Sequence, residues 1–254
     1  MGLDIQKADF WKRISAWLFD TIILFILIVG VAFLLSAAFD YDSHFETVER
    51  AQNEIVEKYG INIDLTQEEI EALPSAEERQ RYEDAYTEYA TNPDVIYANE
   101  MMINLALLMV TLSTLVAVAI VEAVIPLFLK HGRTLGKKIF GLAVIRSNGV
   151  KIGGQALFIR SLIGKYTLEI MAPIYILLLS LIGMLGVMGF ILIVVILFLQ
   201  IFAMLRSGTR SAIHDLVSDT VVVDMASQRI FETEADLIAY KNKIHAEAVA
   251  KAEY

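Results

Sequence analysis

Long uncharged stretches alternate with polar ones along this chain. Residues 21–39, 101–121 and 170–205 contain no Asp, Glu, Lys or Arg. A helix needs roughly 20 apolar residues to cross a hydrocarbon core about 30 Å thick. The first two stretches each suit one crossing. The third is long enough for nearly two, with Gly183, Gly186 and Gly189 at the expected turn and able to let helices approach closely. The pattern therefore predicts four spans, at about 14–39, about 100–129, and two within 166–205. Ser36-Ala37-Ala38 could be a signal-peptide cleavage site, but the run is long for an h-region and contains Asp20. We read it as a retained span.

The polar segments carry their own signals. Thr66-x-x-Glu69 and Ser75-x-x-Glu78 read as capping boxes on either side of Pro74, which predicts two or three short helices. Residues 131–141 suit a short amphipathic helix. Asn148-Gly149 between two apolar runs is a hairpin signal, because both residues tolerate positive φ. Thr220–Asp224 reads as a strand able to pair with that hairpin, after a short helix over 211–219. Residues 233–252 suit a surface helix capped by Thr233. The expected fold is all-α and membrane-integral. It is a four-transmembrane-helix bundle with a helical extracytoplasmic insertion and a small cytoplasmic β-hairpin and strand element. Its divisions are 1–39 (N-terminus and first span), 40–100 (insertion), 101–129 (second span), 130–165 (basic loop), 166–205 (third and fourth spans) and 206–254 (tail).

Charge sets the orientation. The net charge is −9, yet residues 40–100 hold 17 acidic and four basic side chains, while residues 130–165 hold eight basic and none acidic. Basic loops stay in the cytoplasm, and acidic residues count little in that rule. The 130–165 loop and both termini are therefore expected inside, with 40–100 outside. Trp11 and Trp17 suit the headgroup level. The chain has no cysteine, so it has no disulfide or thiolate site.

Candidate chemistry lies where charge enters the spans, since burying it is costly and marks a partner or a pathway. Asp20 follows Arg13 on one face of the first helix, too far away for direct pairing, so that a third group could lie between them. Glu122 sits on the second span at a depth comparable to that of Asp20. Antiparallel helices could bring the two carboxylates together around a proton or a cation. Glu169 lies near the start of the third span. Ser211-Ala212-Ile213-His214-Asp215 does not make a hydrolytic triad, because adjacent His and Asp on one short helix point to different faces. The four histidines have no metal-ligand spacing and no phosphate-cradling loop is present, so no cofactor is expected. The basic stretch is read as facing lipid headgroups, not nucleic acid.

Three blocks resemble the RDD family of bacterial and archaeal membrane proteins, named for one arginine and two aspartates. They are the run from Phe10-Trp11-Lys12-Arg13 to Asp20, Gly132-Arg133-Thr134-Leu135-Gly136-Lys137 with the residues that follow, and His214-Asp215-Leu216 through Thr220-Val221-Val222-Val223. The resemblance places the family's residues on Arg13, Asp20 and Asp215, with Gly132, Arg133, Gly136, Lys137 and His214 in accompanying motifs. It implies transport of an unassigned ligand, with sodium–proton exchange in some members. The acidic 40–100 segment and the helix after residue 230 depart from the family pattern.

Two functions follow as expectations, neither enzymatic. One is transport of a small ligand, with Asp20, Glu122 and Glu169 on a cation or proton path and a homo-oligomer to widen a thin bundle. The other is a membrane scaffold that binds a protein partner through residues 40–100 or the C-terminal helix. A reading that competes with transport makes Arg13, Asp20 and Asp215 a structural latch, with Arg13 pairing with Asp215 to close the inner mouth of the bundle. The expected location is a prokaryotic cell membrane.

Overall fold

The computed structural model describes residues 5–6, 8–208 and 211–252. Four helices are long and apolar enough to cross a membrane: α1 (Phe10–Ala38), α5 (Pro93–Phe128), α7 (Gly154–Leu181) and α8 (Gly186–Arg206). Between α1 and α5 lie α2 (Tyr41–Tyr59), α3 (Gln67–Glu71) and α4 (Ala76–Ala90). The remaining elements are α6 (Leu135–Ile139), β1 (Leu142–Arg146), α9 (Ile213–Val217), β2 (Thr220–Asp224) and α10 (Glu234–Ala252). The chain packs as two units, 29–113 and the rest.

Local chemistry sets the helix ends. The Asp9 carboxylate accepts from the amides of Trp11 and Lys12 at 3.0 and 3.1 Å, which starts α1. Pro93 opens α5, where its missing N–H costs nothing, and Asn92 Oδ1 accepts from Asp94 N at 2.9 Å. The turn from α7 to α8 uses Gly183 and Gly186, both at positive φ. Gly189 faces Ser180 so closely that a β-carbon there would lie 1.7 Å from its hydroxyl. The glycine-rich turn is thus both a reversal and a close helix contact. The third membrane helix begins at Gly154, well before the uncharged run at 170, so it carries Arg160, Lys165 and Glu169 inside it.

In the unit of residues 29–113, α2 and α4 pack over a small core of Ile55, Ile63 and Ala85. Thr66 and Glu69 form the full reciprocal capping box, while Ser75 Oγ accepts from Glu78 N at 3.1 Å. Lys58 and the Tyr59 hydroxyl both bind Glu88, at 2.6 and 2.7 Å, tying the two helices together.

In the other unit, β1 pairs antiparallel with β2, from Leu142 opposite Asp224 to Arg146 opposite Thr220. Alternate side chains fall on opposite faces of a strand. Leu142, Val144 and Val222 pack with Ala8, Ala16 and Leu157 on one face. Ala143, Ile145, Val221 and Val223 meet Ile5, Met225 and Ile230 on the other. The Asn148-Gly149 turn forms, with Gly149 at positive φ, but the hairpin shrinks to a single bridge between Ile145 and Lys151. The distant strand at 220–224 takes the ladder instead. It is the better partner because it adds four buried positions, whereas residues 150–152 leave the strand to feed α7. Thr233 caps α10, accepting from Asp236 N at 3.2 Å. Phe231 and Leu237 seat the start of α10 on Val150.

Candidate functional site: a buried network of eight charges

The run from Gly132 to Lys137 builds one half of the site. Gly132 takes φ +60°, and a β-carbon there would meet Ile152 at 2.7 Å. Arg133 turns back to donate to the Leu129 carbonyl at 2.9 Å, closing the end of α5. Thr134 caps α6, its hydroxyl accepting from Lys137 N at 3.3 Å while donating to Asp20 Oδ2. Gly136 lets α6 press against α1. A β-carbon there would fall 2.4 Å from the Ala16 carbonyl and 2.9 Å from Asp20 Oδ1. In its absence, Gly136 N donates to Asp20 Oδ1 at 2.8 Å.

Lys137 then reaches between two carboxylates. Its Nζ lies 3.8 Å from Asp20 Oδ2 and 3.8 Å from Glu122 Oε2. The first two spans do bring Asp20 and Glu122 to one place, and the cation between them is this ammonium. Burial pushes the Lys137 amine down to about 8, with Arg160 and Lys165 adding to the effect and the two carboxylates opposing it.

Glu122 is the most heavily countered acid. Lys165 Nζ hydrogen-bonds its Oε1, and Arg160 Nη1 lies 3.6 Å from Oε2. It sits in a π-helical stretch, Ala119–Val124, and Arg160, Lys165 and Glu169 sit in another, Ile159–Met171. Such widened turns hydrogen-bond i to i+5 and cluster at functional sites. Widening brings Arg160 and Lys165, five residues apart, toward one face, which a regular α-helix would not do. The Ser161 hydroxyl donates to the Glu122 carbonyl at 2.6 Å and stitches the two stretches together.

The second centre is Asp215, on the short helix α9. Arg160 donates from Nε to its Oδ1 at 3.0 Å, and Nη2 is equally close. Arg13 Nη2 lies 3.7 Å from Oδ2. The expected Arg13–Asp215 contact is present, but Arg160 is the tighter partner. Thr220 Oγ1 adds a contact to Oδ1 at 3.3 Å. Burial alone would raise the Asp215 carboxyl, but the Arg160 and Arg13 guanidinium groups outweigh it and hold it well below the usual carboxylate range. His214 Nδ1 meets Glu169 at 2.7 Å, and Nε2 faces Arg160 Nη2 at 2.9 Å. Arginine can only donate, so Nε2 accepts and Nδ1 carries the hydrogen toward Glu169. Gly164 permits this crossing, since a β-carbon there would lie 2.7 Å from the His214 α-carbon.

Arg13, Lys137, Arg160 and Lys165 thus face Asp20, Glu122, Glu169 and Asp215, four charges of each sign with neutral His214 among them. Arg160 and Lys165 escape sequence reasoning that stops the basic loop at 165. The signal was present as two cations among Leu157, Phe158, Ile159, Leu162 and Ile163. A cavity of about 440 Å³ opens beside the network.

The arrangement defines a class: a four-span membrane protein whose first three membrane helices carry a buried ion-pair network at one end. A family model described as the RDD family matches residues 7–219, nearly the whole chain. The chain belongs to the RDD family. Neither a curated protein nor a solved structure matches it.

Proposed function

We propose that this protein transports a small ion, with proton or cation exchange as its chemistry, and that the buried network is its inner gate. The observation that carries this reading is the Lys137 ammonium held 3.8 Å from both Asp20 and Glu122. An incoming cation or proton competes with that ammonium for the two carboxylates. Ionisable groups buried among membrane helices commonly mark such pathways. The eight basic and no acidic residues of 130–165 support placing this end in the cytoplasm of a prokaryotic cell, with both chain ends on that side. The large apolar faces of α1 and α8 suit a homo-oligomer, which would give a thin bundle a wider path.

The test is dissipation of a pH gradient in proteoliposomes on addition of Na⁺, K⁺ or Li⁺. A cation-dependent signal lost in Asp20→Asn, with that variant still folded, supports exchange. Silence from well-folded wild type sinks it.

A second reading, a membrane scaffold, has its own support. Each carboxylate of the network has a cationic or histidine neighbour within 3.8 Å, as a static latch requires. The acidic insertion, with 17 acidic and four basic residues over 40–100, would then bind a basic partner protein. Deletion of 45–95 with folding retained and a co-purifying partner lost would favour it.

A further inference from the structure

His214 lies uncharged among the eight charges, and it is the member most able to change. Imidazole ordinarily titrates between about pH 5 and 8. Its Nδ1 lies 2.7 and 2.8 Å from the two oxygens of Glu169. Its Nε2 accepts from Arg160 Nη2 at 2.9 Å and lies 3.6 Å from Asp215 Oδ1. His214 and Glu169 line the cavity with side chains 12% and 16% exposed, against 1% and 0% for Arg160 and Asp215. A proton entering the cavity therefore meets His214 and Glu169 before the buried pair. The charged groups around the ring are Arg160, Lys165 and Glu169 of α7, Asp215 beside it on α9, and Arg13 of α1 across Asp215. Neither α8 nor β2 adds an ionisable group to the cavity wall.

A further proton on the ring has one place to go, Nε2, and Arg160 Nη2 already points there. Two donors would then face each other, because a guanidinium cannot accept. Arg160 must withdraw Nη2. The new N–H turns to Asp215 Oδ1, and the imidazolium gains a carboxylate on each side. Arg160 has a second acceptor within a short swing. Its Nη1 lies 3.6 Å from Glu122 Oε2, and that oxygen is buried with no hydrogen-bond partner among the described residues. Closing this gap would satisfy an oxygen that is costly to leave unpaired.

We propose that His214, backed by Glu169, is the proton-binding site of the gate, and that its protonation moves Arg160 from the imidazole toward Glu122. One proton adds to Nε2, no covalent bond between heavy atoms changes, and Arg160 keeps its charge. Its Nε can hold Asp215 throughout, from 3.0 Å. With Arg160 closed on Glu122, that carboxylate is less available to an incoming cation. Proton and cation then oppose each other through one guanidinium, which is the coupling that exchange needs. The inference rests on the exchange reading in one respect: Glu122 is a carboxylate for which the cation competes.

Nitrogen NMR of ¹⁵N-histidine-labelled protein in detergent micelles tests it. His214 is assigned as the signal retained when His44, His131 and His245 are all replaced by Gln, and lost in His214→Gln. The neutral ring should carry its hydrogen on Nδ1 and leave Nε2 bare. Coupling between sites is reciprocal, so a cation should weaken proton binding at His214 as the proton weakens cation binding. In NaCl, KCl or LiCl the titration midpoint of His214 should fall below that in N-methyl-D-glucamine chloride of equal ionic strength. The expected shift is on the order of tenfold in proton affinity, about one pH unit. Folded Glu122→Gln should lose this cation dependence, while the wild-type comparison needs no substitution inside the network. A neutral ring with its hydrogen on Nε2 overturns the proposal. So does a midpoint that none of the three cations moves, or a cation dependence unchanged in Glu122→Gln. A cation-sensitive His214 with silent flux would retain the coupled sites and sink transport. Cation-driven flux with a cation-blind His214 would retain transport and sink this site.

Discussion

Arg160 grips Asp215 with two nitrogens, Nε and Nη2, each 3.0 Å from the same carboxylate oxygen, and both side chains are buried. This pair, more than Arg13 and Asp215, holds α7 to the short helix α9. Breaking a buried pair by removing one partner costs about 3–5 kcal/mol, because the other charge is stranded. Arg160→Gln strands Asp215 and weakens the countering of Glu122. It should lose about 3–5 kcal/mol, and Arg13→Gln clearly less. Denaturant titration in detergent measures both, and equal losses would reverse the ranking of the two arginines.

Gly136 and Gly132 are required by contact and by backbone angle. Gly136→Ala drives a methyl group to 2.4 Å from the Ala16 carbonyl. Overpacking of this kind costs about 1–3 kcal/mol. Gly132→Ala meets both a clash and a φ of +60°. Gly30→Ala is the control, since nothing lies within 4 Å of its added carbon. Melting temperatures should fall for the first two and hold for the third. A Gly136→Ala protein as stable as wild type would contradict the close approach of α6 to α1.

The buried Lys137 amine gives stability a distinctive pH dependence. Its folded value is about 8 against an ordinary 10.5, so between those limits the unfolded chain binds more protons than the folded one. Stability contributed by this group therefore rises with pH across that window, by up to about 3 kcal/mol at 1.4 kcal/mol per unit. Arginine does not deprotonate there. The difference in unfolding free energy between wild type and Lys137→Arg should grow from pH 8 to 10.5 in favour of wild type. A flat difference would mean that Lys137 is wet.

The insertion has a local test. Thr66 and Glu69 satisfy each other's amides at the start of α3. Thr66→Ala should destabilise that turn by about 0.5–2 kcal/mol. The change should appear as faster hydrogen exchange at Glu69 N, with the α2–α4 pairing protected as before. Exchange unchanged at Glu69 would place its protection elsewhere.

Much of this was legible in one dimension. Hydropathy is a property of a segment, so the four spans follow from uncharged runs whatever the helices pack against. Capping is local too, and Thr66, Ser75 and Thr233 sit where their spacing to Glu69, Glu78 and Asp236 places them. Asp20, Glu122 and Asp215 announced themselves as charges in or beside apolar helices. Their partners did not, apart from Arg13 for Asp215. An ion pair depends on which faces meet, and that is set by close approaches at Gly136 and Gly164 and by two π-helical stretches that shift the helical register. No local pattern reports those. Hence the sequence alone determined the number of spans, though not the start of the third at Gly154, together with the caps, the strand at 220–224 and the buried acids. Tertiary structure alone decided that Lys137 sits between Asp20 and Glu122, that Arg160 serves Asp215, and that the strand at 220–224, which the sequence offered as a partner, takes the β1 ladder while the hairpin keeps a single bridge.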